Sequence, residues 1–114
     1  MKIEIATRQK IKINRKILRH QIQAAGRLLA ISSKSVSFLF CDSAFIRELN
    51  NKYFGRDRVT DVIAFSLADK QQKDYLGEIV VSVEEAGSVA RQRRVPLMDE
   101  LMVYVIHGML HLIG

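Results

Sequence analysis

His107 and His111 stand four residues apart in the run HGMLHLIG. On an α-helix this spacing stacks two imidazoles on one face, a turn apart, where both can reach one metal ion. Neutral imidazole is the usual nitrogen ligand of zinc. The neighbours from Leu101 to Leu112 are mostly Leu, Met, Val and Ile. An imidazole buried among them without a partner would be costly, so something should bind it. The same spacing also suits two histidines packed in a core or exposed at a helix end. Gly108 is expected to leave room for an ion or a substrate to approach. Because residue 108 is glycine, the glutamate general base of an H-E-x-x-H zinc peptidase is missing, which argues against peptide hydrolysis by that route.

The elements that must hold this pair can be read from periodicity and caps. Ile3 and Ile5 alternate within Met1 to Ala6, a strand signal. Asn14 is a good N-cap for a helix running to about Ala30. That helix carries Ile17, Leu18, Ile22, Ala25, Leu28 and Leu29 on one face and Arg15, Lys16, Arg19 and Arg27 on the other. Val36, Phe38 and Phe40 alternate in a second strand, and Cys41 after them reads as a small core residue. Asp42 or Ser43 caps a helix with Ile46, Leu49 and Tyr53 on one side, and Gly55 ends it. Strands follow over Val62 to Leu67 and Glu78 to Val83, joined by a polar turn over Ala68 to Asp74. Ser82 and Glu85 are spaced as a capping box for a helix to about Arg94. Pro96 stops it and suits the first turn of a last, largely buried helix from Leu97 to Ile113. The order β-α-β-α-β-β-α-α, with a hairpin between the third and fourth strands, predicts an α+β fold. It should be one domain over residues 1–114, a four-stranded mixed sheet packed with about four helices.

Composition narrows the partners. The chain has 114 residues, 48% hydrophobic and 26% charged, which excludes general disorder. The apolar run Leu101 to Ile106 is too short to span a bilayer, so no membrane role is expected. The start, MKIEIATRQK, lacks the apolar core of a signal peptide, and the lone Cys41 has no disulfide partner, which makes the cytosol the default compartment. The net charge is +6, and residues 1–34 hold nine Lys and Arg against Glu4 alone. An uneven basic charge suits a polyanion such as RNA or a ribosome, or else is a solvated helix face. Arg15, Lys16 and Arg19 on the first helix, and Arg56 and Arg58 after the second, are the candidate RNA contacts. Arg91, Arg93 and Arg94 read equally as helix surface, His20 as solvated, and Glu78 as a strand-edge or exposed side chain.

The run from His107 to Gly114 resembles the signature of the YbeY endoribonuclease family, H-G-x-L-H-L-x-G-Y-D-H. Other family pieces match in order: Asn50, Asn51 and Tyr53, then Gly55, Asp57, Thr60, Asp61, Val62 and Phe65, then Leu76 to Ile79, then Glu100 and Leu101. The resemblance implies a single-strand-specific, metal-dependent endoribonuclease of the bacterial cytoplasm. It would act on the 3′ end of small-subunit rRNA and in ribosome quality control, with single-stranded RNA and the ribosome as partners. It implies one Zn²⁺ per chain on His107, His111 and a third histidine that falls beyond Gly114. The chain as it stands is therefore expected to be truncated and an impaired enzyme. The family has an arginine with a catalytic role where this chain has Phe54, and Arg56, with Arg58 nearby, is the candidate to serve instead. Zinc would lower the pKa of a coordinated water to about 7. Two other classes fit the same residues: a ribosome-associated RNA-binding protein without turnover, and a zinc hydrolase of another substrate. Thr60 and Asp61 either shape a cleft floor or only start a strand.

Overall fold

The computed structural model describes residues 1–67 and 72–114, so most of the turn expected over Ala68 to Asp74 lies outside the described residues. The chain order is β1 (Lys2–Arg8), α1 (Arg15–Leu28), β2 (Ser35–Cys41), α2 (Ser43–Phe54), β3 (Val62–Ser66), β4 (Tyr75–Ser82), α3 (Val83–Arg93) and α4 (Leu97–Ile113). This is the expected α+β order. The sheet is mixed, in the spatial order β1-β2-β4-β3. β1, β2 and β4 run parallel, and β3 pairs antiparallel with β4. β4 therefore sits centrally between β2 and β3, and β3 is an edge strand. Glu78, expected at an edge or in solvent, is instead half-buried on central β4, opposite Phe65.

Local chemistry explains the boundaries. The Asn14 side chain accepts from the Ile17 amide, Asp42 from that of Phe45, and Ser82 from that of Glu85, each satisfying an amide the first helical turn leaves unpaired. Gly55 closes α2 in the left-handed region at φ 66°. The stop after α3 differs from the expectation at Pro96. Arg94 itself turns left-handed, at φ 57°, and its amide bonds back to Ala90 and Arg91 carbonyls, while Pro96 precedes the first helical residue of α4. Gly77 in β4, at φ 145°, lies so close to the Phe65 carbonyl of β3 that a Cβ would overlap it.

The two sheet faces are covered unequally. On one, Leu18 and Ile22 of α1, Val83 and Ala86 of α3, and Leu101, Tyr104, Val105 and Met109 of α4 pack on Val36, Phe38, Phe40, Ile79 and Val81. On the other, Ile46 of α2 packs on Cys41, Ile63 and Val80. Two expectations of burial fail. Leu28 is 88% exposed and Ile17 half-exposed, because the buried stripe of α1 follows Leu18, Ile22 and Ala25, and both residues sit to the side of it. α4 is not largely buried all round: Val103, Ile106, Leu110 and Ile113 face outward. A helix laid on a sheet buries only the stripe that meets it, however apolar the rest of its circumference.

Burial has one clear electrostatic consequence. The Cys41 thiol is fully buried, and loss of solvation, aided by the Asp42 and Glu84 charges and opposed by Arg8, pushes it from 9.0 up to about 12. Its folded value lies above the unfolded one, so its contribution to stability is fully present below about pH 9. That contribution is lost as the pH rises toward about 12. Urea midpoints should fall across that window, and Cys41→Ala should flatten the fall. An equally steep alkaline fall in the variant would assign it to other groups.

Candidate functional site

His107, Gly108 and His111 of α4 line a cleft of about 520 Å³, facing Val62, Ile63 and Ala64 of edge strand β3. Its remaining wall is the end of α2 and the loop after it: Asn50, Phe54, Arg56, Arg58, Val59, Thr60 and Asp61. The volume is in the range of ordinary ligand sites. The cleft thus gathers both histidines, Arg56, Arg58, and the Thr60–Asp61 pair. Arg15, Lys16 and Arg19 are not part of it.

Both histidine side chains are exposed, and among the described residues neither imidazole hydrogen-bonds or pairs with a charge. Their position follows from the meeting of helix and sheet. Gly108 lines the cleft between them, and its missing side chain also serves the packing of the helix. A Cβ there would come 2.7 Å from Ile79 Cγ2, so the missing side chain lets α4 lie close on β4 and sets where the histidines project. Gly108→Ala should cost about 1–3 kcal/mol by overpacking, seen as a lower urea midpoint with unchanged slope. In combination with Ile79→Ala the loss should be smaller than the sum of the two, because the clashing methyl is gone. Strict additivity would show that α4 does not rest on Ile79.

The arginine loop is held from behind. Buried Asn50 donates through Nδ2 to the Arg58 carbonyl at 3.0 Å, and its own carbonyl accepts from the Arg56 amide at 3.3 Å. Arg47 Nε donates to Asp57 Oδ1 at 2.8 Å, and this bond, with the attached charge, holds the Asp57 carboxyl below its ordinary range. The Asp61 carbonyl accepts from the Ser82 amide at 2.9 Å, and its carboxylate from the Val62 amide at 2.7 Å, so Asp61 both begins β3 and lines the cleft. Burial first, then the Asp61, Glu100 and Glu85 charges, raise the Tyr104 hydroxyl above its ordinary value and keep it protonated. Asn50 appeared in the sequence only as part of a motif. A polar residue on the apolar side of α2, one turn after Ile46, was the available sign that it anchors something.

The basic residues divide by what they already do. Arg15 donates to Thr7 Oγ1 and Arg19 to the Ile3 carbonyl at 2.8 Å, so both fasten α1 to β1. Arg93 donates to buried Glu100 at 3.2 Å. Among the described residues, the guanidinium groups of Arg56 and Arg58 make no such bond, and both line the cleft.

Two imidazoles with free nitrogens are donors of the kind zinc takes, and they fit two of its four positions. Among the described residues no group of three or more His, Cys, Asp or Glu side chains could hold a metal. No described helix is long and apolar enough to cross a membrane.

Comparison with known proteins places this chain and its α+β frame in an endoribonuclease family. Residues 2–114 match the family described as Endoribonuclease YbeY, and the chain belongs to that family. It is 40% identical over 119 aligned positions to the Endoribonuclease YbeY of Syntrophus aciditrophicus, covering 100% of this chain and 74% of that protein. It is 40% identical to the one from Amoebophilus asiaticus, over 70% of this chain and 54% of that protein. A solution structure of a Thermotoga maritima protein superposes with a TM-score of 0.72 at 30% identity, over 98% of this chain and 72% of that one.

Proposed function

We propose that the chain is a metal-dependent endoribonuclease specific for single strands, acting in the cytoplasm on the 3′ end of small-subunit rRNA and in ribosome quality control. The observation that carries this reading is the convergence on one cleft of two imidazoles and two guanidinium groups that are unengaged among the described residues. His107 and His111 would hold one zinc ion per chain. When bound, such an ion supplies Lewis-acid chemistry at a phosphoryl oxygen. Arg56 and Arg58 hold the phosphates on either side of the scissile bond, and Arg56 in particular stabilises the charge that develops on the reacting phosphate. Asn50 ties the loop that carries them to the end of α2. Positioning of this kind accounts for much of the rate in phosphate chemistry.

The test compares one RNA sequence as a single strand and as a duplex, with added zinc and with a chelator. Internal cleavage of the single strand alone, abolished by the chelator, is the expected result. Tight RNA binding with no cleavage at any zinc concentration would leave an RNA-binding protein without turnover.

The binding footprint has its own expected outcome. Charge reversal at Arg56 and Arg58 should flatten the dependence of log K on log salt by about 1.4, at about 0.7 per phosphate contact on single strands. Reversal of Arg15, Lys16 and Arg19 should weaken RNA binding less and destabilise the fold more, since two of the three serve as clamps. The opposite ranking would move the footprint to α1.

A further inference from the structure

Phe54 is the last residue of α2, is 51% exposed, and lines the same cleft as Arg56 and Arg58. An exposed phenyl ring at a helix end would ordinarily be mobile. This one lies nearly parallel to the ring of Phe65 on β3, with centroids 6.1 Å apart and planes at 18°. Phe65 is itself held by the edge of Tyr53, at 5.1 Å and 68°. Immediately after Phe54 the chain turns left-handed at Gly55, and the Asn50 side chain pins the loop that carries the two arginines. The result is an aromatic surface backed by a second ring and set beside two cationic groups. A planar apolar ring next to guanidinium groups suits a ligand that alternates planar bases with phosphates.

We propose that Phe54 is the stacking platform for an unpaired nucleobase of the RNA bound in this cleft. The proposal rests on the ribonucleic-acid reading above and deepens it by naming a base subsite. A base paired in a duplex keeps its faces covered by its neighbours. An unpaired one can lay a face on Phe54 while its flanking phosphates meet Arg56 and Arg58. The platform thus gives a preference for single strands, and for purines over pyrimidines, because the larger ring system overlaps more of the phenyl face.

The experiment measures binding of a short single-stranded oligoadenylate to the full chain, with a chelator present so that no strand is cut. An abasic strand with the same number of phosphates serves as the partner probe. The natural chain should prefer oligoadenylate by about 5- to 150-fold, the usual worth of one base–aromatic stack. Phe54→Leu, which still covers Phe65 but has no π face, should lose most of that preference while its urea midpoint stays close to that of the natural chain. Phe54→Trp should keep or increase it. Arg56→Glu should weaken both strands alike. If Phe54→Leu retains the preference, or if the natural chain binds both strands equally while Arg56→Glu loses them, the stacking role is overturned and the ribonucleic-acid reading stands. If the natural chain binds neither strand at low salt, the reading beneath it fails and the stacking role falls with it.

Discussion

Replacing His107 with alanine should weaken zinc binding by more than about a hundredfold, measured by competition with a chromophoric chelator. Removal of a group that merely supports a metal ligand commonly costs 10- to 100-fold, so loss of a direct ligand should exceed that range. His111→Ala should have a similar effect. The double variant should be little worse than either single one, because an ion held by a single imidazole has already lost its chelate. His20 is exposed on α1, far along the chain from the cleft residues, and its replacement should leave zinc affinity unchanged. RNA binding in the presence of chelator should survive both changes, since Arg56 and Arg58 remain. Zinc affinity equal to that of the natural chain in both single variants would show that the pair does not form the metal site.

The largest loss of stability is expected at Gly77. A methyl group there would overlap the Phe65 carbonyl oxygen and stand 3.1 Å from the Leu67 amide nitrogen, at a φ of 145° that side chains rarely adopt. The obstacle is backbone, which cannot rotate aside as the end of a side chain could. Strain at the residue and overpacking against β3 together should cost about 3–5 kcal/mol. Gly77→Ala should therefore lower the urea midpoint more than Gly108→Ala does. It should also disturb the cleft, because β3 carries Phe65 beneath Phe54 as well as the wall facing the histidines. A loss below about 1 kcal/mol would mean that β3 can slide along β4 without harm, contrary to the close approach at Gly77.

The features that sequence reading captured are those with local causes. Asn14, Asp42 and Ser82 cap helices because each needs only its own side chain and an amide three residues on. Gly55 ends α2 because left-handed backbone there suits glycine. The antiparallel pairing of β3 and β4 was legible in two adjacent alternating runs. What escaped depends on distant partners. No local pattern places β4 between β2 and β3, which is what puts Glu78 on a central strand. Gly108 lines the cleft, but the close approach to Ile79 that also calls for a glycine there depends on another element. Arg15 and Arg19 read as a free basic face until β1 supplied their acceptors. The cleft itself was only partly visible: the histidine spacing pointed to it, while the arrival of Arg56, Arg58 and Phe54 opposite is a property of the packed sheet.

The cleft draws its walls from two separate stretches of chain, residues 50–64 and 107–111. The first stretch and the β3–β4 pairing can form from neighbouring sequence, whereas the histidines arrive only when α4 docks on a sheet whose parallel strands are already aligned. Contacts of such long sequence separation carry the larger loop-closure cost before they reward it. A chain still being synthesised, or one in which α4 has transiently detached, would present its arginines without its histidines. The complete cleft would then exist only in molecules that have finished folding.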